Sequence, residues 1–256
     1  YPLGTDRQPM AVVAAYVLRD TGGASGEPRA ARTRPPSPAD GDILPYLSDI
    51  AIPRENIEKV PDDFAFSGRA KLPAKVLRDY VSLGCINVPR DADGLIRRVP
   101  LVFGFEHGDS AGGAGEQLFL PAFPLLCVLH HWGVSSHAVQ LEFGRHLTIA
   151  RPGKPVVRVP VDEHGRMYLN FVGRLNDFPT VSFYSFLLAG SGRRDEATGN
   201  SADDAEGPSL TDRVRAAVDG RLAMVGVTAE GTTDIGPTPI DPYTPFVHVH
   251  LTAANS

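Results

Sequence analysis

The sequence predicts an α/β domain: a mixed central β-sheet with helices packed on it, interrupted by long loop insertions of disordered type. Three observations carry this reading. Short β-prone apolar runs alternate with stretches of helical periodicity. An Asp93-Gly94 dipeptide between two such runs is a strong hairpin signal. The run 221–227, flanked by Gly220 and containing Gly226, is continuously apolar after its first residue, as suits a strand buried on both faces. Hairpins together with helix-to-buried-strand units imply a layered sheet, and the 256 residues read as a single domain.

Taken in order, residues 11–18 form a first buried strand, and 73–83 place Val76, Leu77, Tyr80 and Val81 at helical spacing. Residues 81–103 follow as the hairpin. Its second strand sets Leu95, Arg97, Val99, Leu101 and Phe103 on one face and Ile96, Arg98, Pro100 and Val102 on the other. Residues 121–132 are a buried helix with proline in its first turn and Gly133 at its end. Strands are expected at 139–149 and 156–160, and Glu163-His164-Gly165 turns the chain into another at 167–172. A helix begins within 181–188, capped by Thr180 or Ser182, and 211–218 is a short amphipathic helix. Residues 20–42, 108–116 and 190–208 are polar, rich in glycine or proline, and read as mobile loops.

Composition excludes several functions. The net charge of −5 is mild and the arginine pairs are scattered rather than striped, so nucleic-acid binding is not expected. Cys85 and Cys127 lie in apolar settings where a thiol serves as a small hydrophobe. No run approaches the about 18–20 apolar residues that span a bilayer. There is no Gly-Lys-Ser/Thr phosphate loop, no Gly-x-Gly-x-x-Gly, no Gly-x-Ser-x-Gly and no His-Glu-x-x-His, so no cofactor is expected and nothing marks a catalytic centre.

Three places carry candidate chemistry. Arg97 and Arg98 point to opposite sides of one strand, so one leans toward the packed face. It must meet a carboxylate of Asp91, Asp93 or Asp234 as an internal clamp, or else an anionic ligand. Asp91-x-Asp93-Gly94 invites calcium, but the twelfth position of such a loop is Val102 and a third ligand is missing. The loop 228–234 follows a strand's carboxyl end and offers Thr228, Glu230 and Asp234 to a ligand, unless these only satisfy their own backbone. His248 and His250 alternate along a β-like run and share a face. With a third ligand they would suit zinc; without one they are strand histidines held by hydrogen bonds. His130 and His131 close a helix, diverge by about 100°, and suit the negative end of its dipole.

Four segments in a fixed order resemble a known family. Asp91 to Leu101 follows the pattern D-x-D-G-x-I-R-R-x-P-L. Leu120-Pro121-Ala122-Phe123 resembles a Leu-Pro helix opening. Leu169-Asn170-Phe171-Val172-Gly173 is similar to an (I/L)-N-aromatic-x-G strand. Residues 220–231, with Asp234 and Thr238-Pro239, resemble a G-K-(I/V)-V-(L/V)-(I/V)-G-x-T-A-x-G…D…T-P segment. Together they resemble the CHASE-two family of extracytoplasmic sensory domains of bacterial receptors, over about residues 70–256. At the closing element His250 aligns, but the family's glycine and its adjacent Ala-Asn do not. The family's opening strand and helix have no counterpart, so the chain reads as a piece cut at both ends.

The resemblance implies a non-catalytic module outside the inner membrane, tethered to it in the whole receptor. It would bind an unknown small molecule or periplasmic partner, with a homodimer in keeping, and relay to a cytoplasmic cyclase or kinase. It adds Asn170 and His250 to the ligand-binding candidates Asp91, Asp93, Arg97, Arg98, Thr228, Glu230 and Asp234, and makes 225–234 and 247–255 the expected coupling path. A competing reading is a soluble α/β hydrolase acting through acidic residues near Asp234; a third is an oligomerisation module with no ligand.

Overall fold

The computed structural model describes residues 13–18, 44–73, 81–107, 115–191, 209–228 and 234–256. Residues 74–80 of the helix expected at 73–83, the loop 20–42, nearly all of the loops 108–116 and 190–208, and Glu230 lie outside them, while Ser82 and Leu83, expected to end that helix, lie in a strand.

The architecture is α/β with mixed sheets. Strand β1 (Val13–Leu18) is central to a three-stranded sheet, parallel to β5 (Ser82–Cys85) and antiparallel to β4 (Ala70–Lys71). A second sheet has β7 (Val102–His107) between β3 (Phe66–Ser67) and β8 (Glu116–Pro121). A third is a meander of β9 (Val139–Glu142), β10 (His146–Ile149) and β11 (Val157–Pro160), extended by β2 (Ile57–Glu58) running parallel to β9. Two small ladders complete it: β6 (Arg98–Pro100) with β12 (Arg166–Tyr168), and β13 (Ile235–Gly236) with β14 (Thr244–Pro245). The helices are α1 (Leu44–Ile50), α2 (Phe123–Trp132), α3 (Phe183–Ser191), α4 (Leu210–Val218) and α5 (Phe246–Asn255).

Helix α2 forms as its sequence asks. Pro124 occupies the first turn, where a missing N–H costs nothing, and Gly133 ends the helix in the left-handed region at φ 65°. The Val134 N–H reaches back to the Leu129 carbonyl at 2.9 Å to close the cap. One side of α2 buries Leu125 and Leu129 in a cluster with Phe119, Leu141, Leu147 and Val249; the other buries Leu126 against Leu47, Leu83 and Phe105. The helix therefore joins two cores. The meander shows period-2 burial, with Val139, Leu141, Leu147 and Ile149 inward and Gln140 outward. Ser182 caps α3 by accepting the Ser185 N–H at 3.0 Å, one of the two caps expected.

Four expectations are corrected. The Asp91–Gly94 turn is present, with Gly94 at φ 85° and its N–H on the Asp91 carbonyl, but its flanks do not form a two-stranded ladder. Strand β5 pairs with β1, and β6 with β12. The expected alternation over 95–103 breaks at Leu101, whose N–H goes to the Gly165 carbonyl, so that Val99, Leu101 and Val102 are all buried. Second, residues 222–228 form no strand. Val225 is 77% exposed, and the run lies along α5 with no room for a Cβ at Gly226 beside Val247. An apolar run needs a free sheet edge to become a strand, and none among the described residues pairs with it. Third, 246–255 is helical: Pro245 fixes the entry at φ −61°, and Val249 and Ala253, four apart, bury one stripe. Fourth, the strand expected at 167–172 stops at Tyr168, with only the Leu169 N–H to the Arg97 carbonyl prolonging the ladder.

Gly84 measures how closely β5 approaches α2: a Cβ there would lie 2.7 Å from Phe123 Cα. Because that neighbour is backbone, Gly84→Ala is expected to destabilise by about 1–3 kcal/mol, read as a lower urea midpoint at unchanged slope.

Candidate functional site

The Asp91–Gly94 turn folds over the start of β6 and aims two carboxylates at the arginines. Asp93 takes a bidentate contact from Arg97 (Nη2 to Oδ2 2.6 Å, Nη1 to Oδ1 3.0 Å). Asp91 accepts from both arginines: Arg98 Nη2 and Nε reach its Oδ1 at 2.6 and 3.1 Å, and Arg97 Nη1 reaches Oδ2 at 3.4 Å. The two guanidinium groups therefore converge on one half-buried carboxylate instead of separating to opposite sides.

Antiparallel pairing sets Arg98 against Tyr168 and Pro100 against Arg166, and this register brings in Asp162 from the turn before β12. Arg98 Nη1 and Arg166 Nε donate to Asp162 Oδ2 at 3.0 and 2.9 Å, while the Arg166 and His164 backbone N–H groups each donate to Oδ1 at 3.0 Å. The Arg98 guanidinium carbon lies 5.5 Å from the centre of the Tyr168 ring. His164 Nε2 sits 3.4 Å from Asp63 Oδ2. Three carboxylates thus meet three guanidinium groups, beside an open groove of about 390 Å3 lined by Arg98, Gly144, Asp162, Glu163, His164 and Arg166.

Electrostatics follow the contacts. The Arg97 guanidinium holds Asp93 down at about 2. Burial pushes Asp162 up, but the Arg166 and His164 N–H groups and the Arg166 charge outweigh it and keep its carboxyl below the usual range. Hydrogen bonds donated to Asp93 and Asp91 raise Arg97 and Arg98 respectively. Elsewhere burial pushes the Cys127 thiol up to about 12, which leaves it an inert core group.

The other candidates do not all join this cluster. Neither arginine pairs with Asp234, whose part is to accept the Phe246 N–H on its backbone carbonyl at 3.0 Å; Asp162 takes the place expected for it. Asn170 is exposed, and its N–H rests on Ser256 Oγ at 3.0 Å. Thr228 is exposed at the end of the extended run. His250 is buried on α5, edge-on to Phe123, and His248 lies on the other side of that helix, so the two share no face and cannot chelate together. Sequence reasoning missed Asp162, Arg166 and Tyr168. The available signal was the Asp162-x-His164-Gly165 turn, whose aspartate side chain caps its own backbone.

The four motif segments also meet through the backbone. The Ile96 N–H donates to the Pro237 carbonyl (2.8 Å), Leu169 N–H to Arg97 (2.9 Å) and Ala122 N–H to Leu101 (2.9 Å). A profile of the CHASE2 domain matches residues 13–256. The chain belongs to the CHASE2 domain family. CHASE2 domains are extracellular, non-catalytic sensory domains of receptors. No curated protein and no solved structure matches the chain. Within this CHASE2 domain no helix among the described residues is long and apolar enough to cross a membrane.

Removing Arg98 takes both guanidinium donors from Asp91 Oδ1 and one of the two from Asp162 Oδ2, so Arg98→Ala is expected to cost about 1–3 kcal/mol in urea unfolding. Arg97→Ala, which frees the exposed Asp93, costs less. The two depressed carboxylates also set an acid response. Their contribution is complete above the ordinary aspartate value of about 3.9 and drains as pH falls toward 2, which melting curves between pH 5 and 2 will show.

Proposed function

We propose that this CHASE2 domain is the extracytoplasmic sensor of a bacterial transmembrane receptor, relaying to a cytoplasmic cyclase or kinase. The family match over residues 13–256 carries this reading. The ligand is a small molecule bearing both charges, such as an amino acid, seated in the groove beside Arg98, Asp162, His164 and Arg166. Asp91, Asp93 and Arg97 hold that wall, and Asn170, Thr228, Asp234 and His250 lie along the route by which the signal leaves. Two signalling states respond to a ligand only if it binds them with different affinity. Here the candidate moving parts are the 222–228 run and α5, which touch at Gly226 and Val247. A second copy of the receptor completes the reading, and the exposed Phe183, Tyr184, Phe186 and Leu187 of α3 offer it a surface.

A thermal-shift screen of amino acids, organic acids, nucleotides, sugars and divalent metals tests the binding claim. A zwitterionic ligand at a hundred times its Kd is expected to raise Tm by about 5–10 °C, an effect abolished by Arg166→Ala. Absence of a shift from every class, or a shift that Arg166→Ala leaves intact, refutes this site.

A further inference from the structure

Helix α5 is fastened on two sides by histidines. Residues two apart on a helix point about 200° from each other, and His248 and His250 grip different neighbours. His248 is 2% exposed, hydrogen-bonded to the Gly173 backbone and edge-on to Phe178 at 5.3 Å between ring centres. His250 is 7% exposed, hydrogen-bonded to the Ile86 backbone just after β5 and edge-on to Phe123 of α2 at 5.6 Å. Thr252 and Ser256 extend the His248 stripe, and Ser256 Oγ receives the Asn170 N–H. One side of α5 thus holds residues 170–178, the other the β5–α2 layer.

Among the described residues each ring has one nitrogen without a partner: Nε2 of His248 and Nδ1 of His250. A neutral imidazole tolerates this, since one nitrogen is an acceptor; an imidazolium makes both donors. Protonation in place would therefore bury an unsatisfied N–H together with a charge. We propose that α5 is a proton-operated latch, in which protonation of His248 and His250 releases the helix from residues 170–178 and from the β5–α2 layer.

The surroundings of the rings are consistent with this. Around His248, Asp241 from the turn before β14 and Asp177 beside Phe178 favour the proton, but burial outweighs them. Around His250, β5 and α2 present the Ile86 backbone and the Phe123 ring, with no charge among the described residues to offset burial. The direction follows from linkage. Above about 6.5 both histidines are neutral in the closed and open forms, and the latch is fully closed. As pH falls below that, the open form takes protons first, and the bias grows until His250 itself titrates at about 4. For His250 alone this window corresponds to roughly a 300-fold shift toward the open form. The device stands on the packing of α5 and does not depend on the groove ligand.

Amide hydrogen exchange of this chain at pH 7.5 and pH 5.0, corrected for intrinsic rates, tests it. The lower pH still lies above the range in which Asp93 and Asp162 lose their pairs. Protection in α5 and residues 170–178 is expected to fall at least tenfold while β9 and β10 keep theirs, and the His248→Asn/His250→Asn variant is expected to lose this dependence. Equal protection at the two pH values, or the same fall in the double variant, overturns the proposal. Should that variant fail to fold, NMR titration of the native histidine rings decides. Rings that titrate near 6.5 without any change in α5 overturn the latch, whereas titration coupled to its release supports it.

Discussion

The rest of the domain depends on where the backbone of residues 96–101 sends its hydrogen bonds. A buried segment must place every N–H and C=O, and this one divides them among separate parts of the chain. Ile96 bonds to Pro237, the Arg97 carbonyl to Leu169, Leu101 to both Gly165 and Ala122, while β6 pairs with β12. The turn after β13, the strand β12 and the entry to α2 are thus tied to one short run. Ile96, Val99 and Leu101 lie at 0–4% exposure within the same run, so the polar junction is also a hydrophobic one.

Such a junction explains why two adjacent arginines are tolerated there. Desolvating a guanidinium costs more than its mere presence returns unless carboxylates meet it in good geometry. The Asp91–Gly94 turn, which needs Gly94 at a positive φ, delivers two of them, and the Asp162 turn delivers the third. Partners come from both ends of the β6–β12 ladder, so the charge cluster reports the ladder's register: a slip of one residue would turn Arg98 away from Asp162. The groove beside it is walled in part by Arg98, Asp162 and Arg166, whose side chains these contacts hold in place.

Sequence alone reveals those features whose cause is local. Proline in the first turn and glycine after the last specify α2; Ser182 specifies the start of α3; Asp93-Gly94 specifies a turn. Where the cause is a distant partner, local signals mislead. The Val-His-Val-His pattern reads as a strand, yet Pro245 and the Val249–Ala253 stripe against the core make it helical. Residues 221–227 have the composition of a buried strand but pair with no strand among the described residues. Asp162 is separated from Arg98 by 64 residues, and only the β6–β12 register makes them neighbours. The arginine clamp was legible in kind, as a need for carboxylates, but only partly in identity.

Stability is unevenly distributed across the fold, and that bears on how a sensory domain moves. The two clusters joined by α2 are closed, with Leu47, Leu120, Leu129, Val139 and Leu147 at 0% exposure. Residues 171–191 and 222–228, by contrast, leave Val172, Phe183, Tyr184, Leu187, Val225 and Val227 more than half exposed, so they bury less and open at lower cost. Helix α5 lies on the seam between these regions. Its Val249 is wholly buried against the stable side, while Val247 meets the exposed run at Gly226 and His248 meets residues 173–178. Helix α5 thus touches both regions, and among the described residues it carries three of the four buried side-chain polar atoms without a hydrogen-bond partner: His248 Nε2, His250 Nδ1 and Thr252 Oγ1. An element in contact with both regions is well placed to carry the proposed signal, and an imidazolium buried without a partner for its second N–H would weaken its docking, as the proposed latch requires.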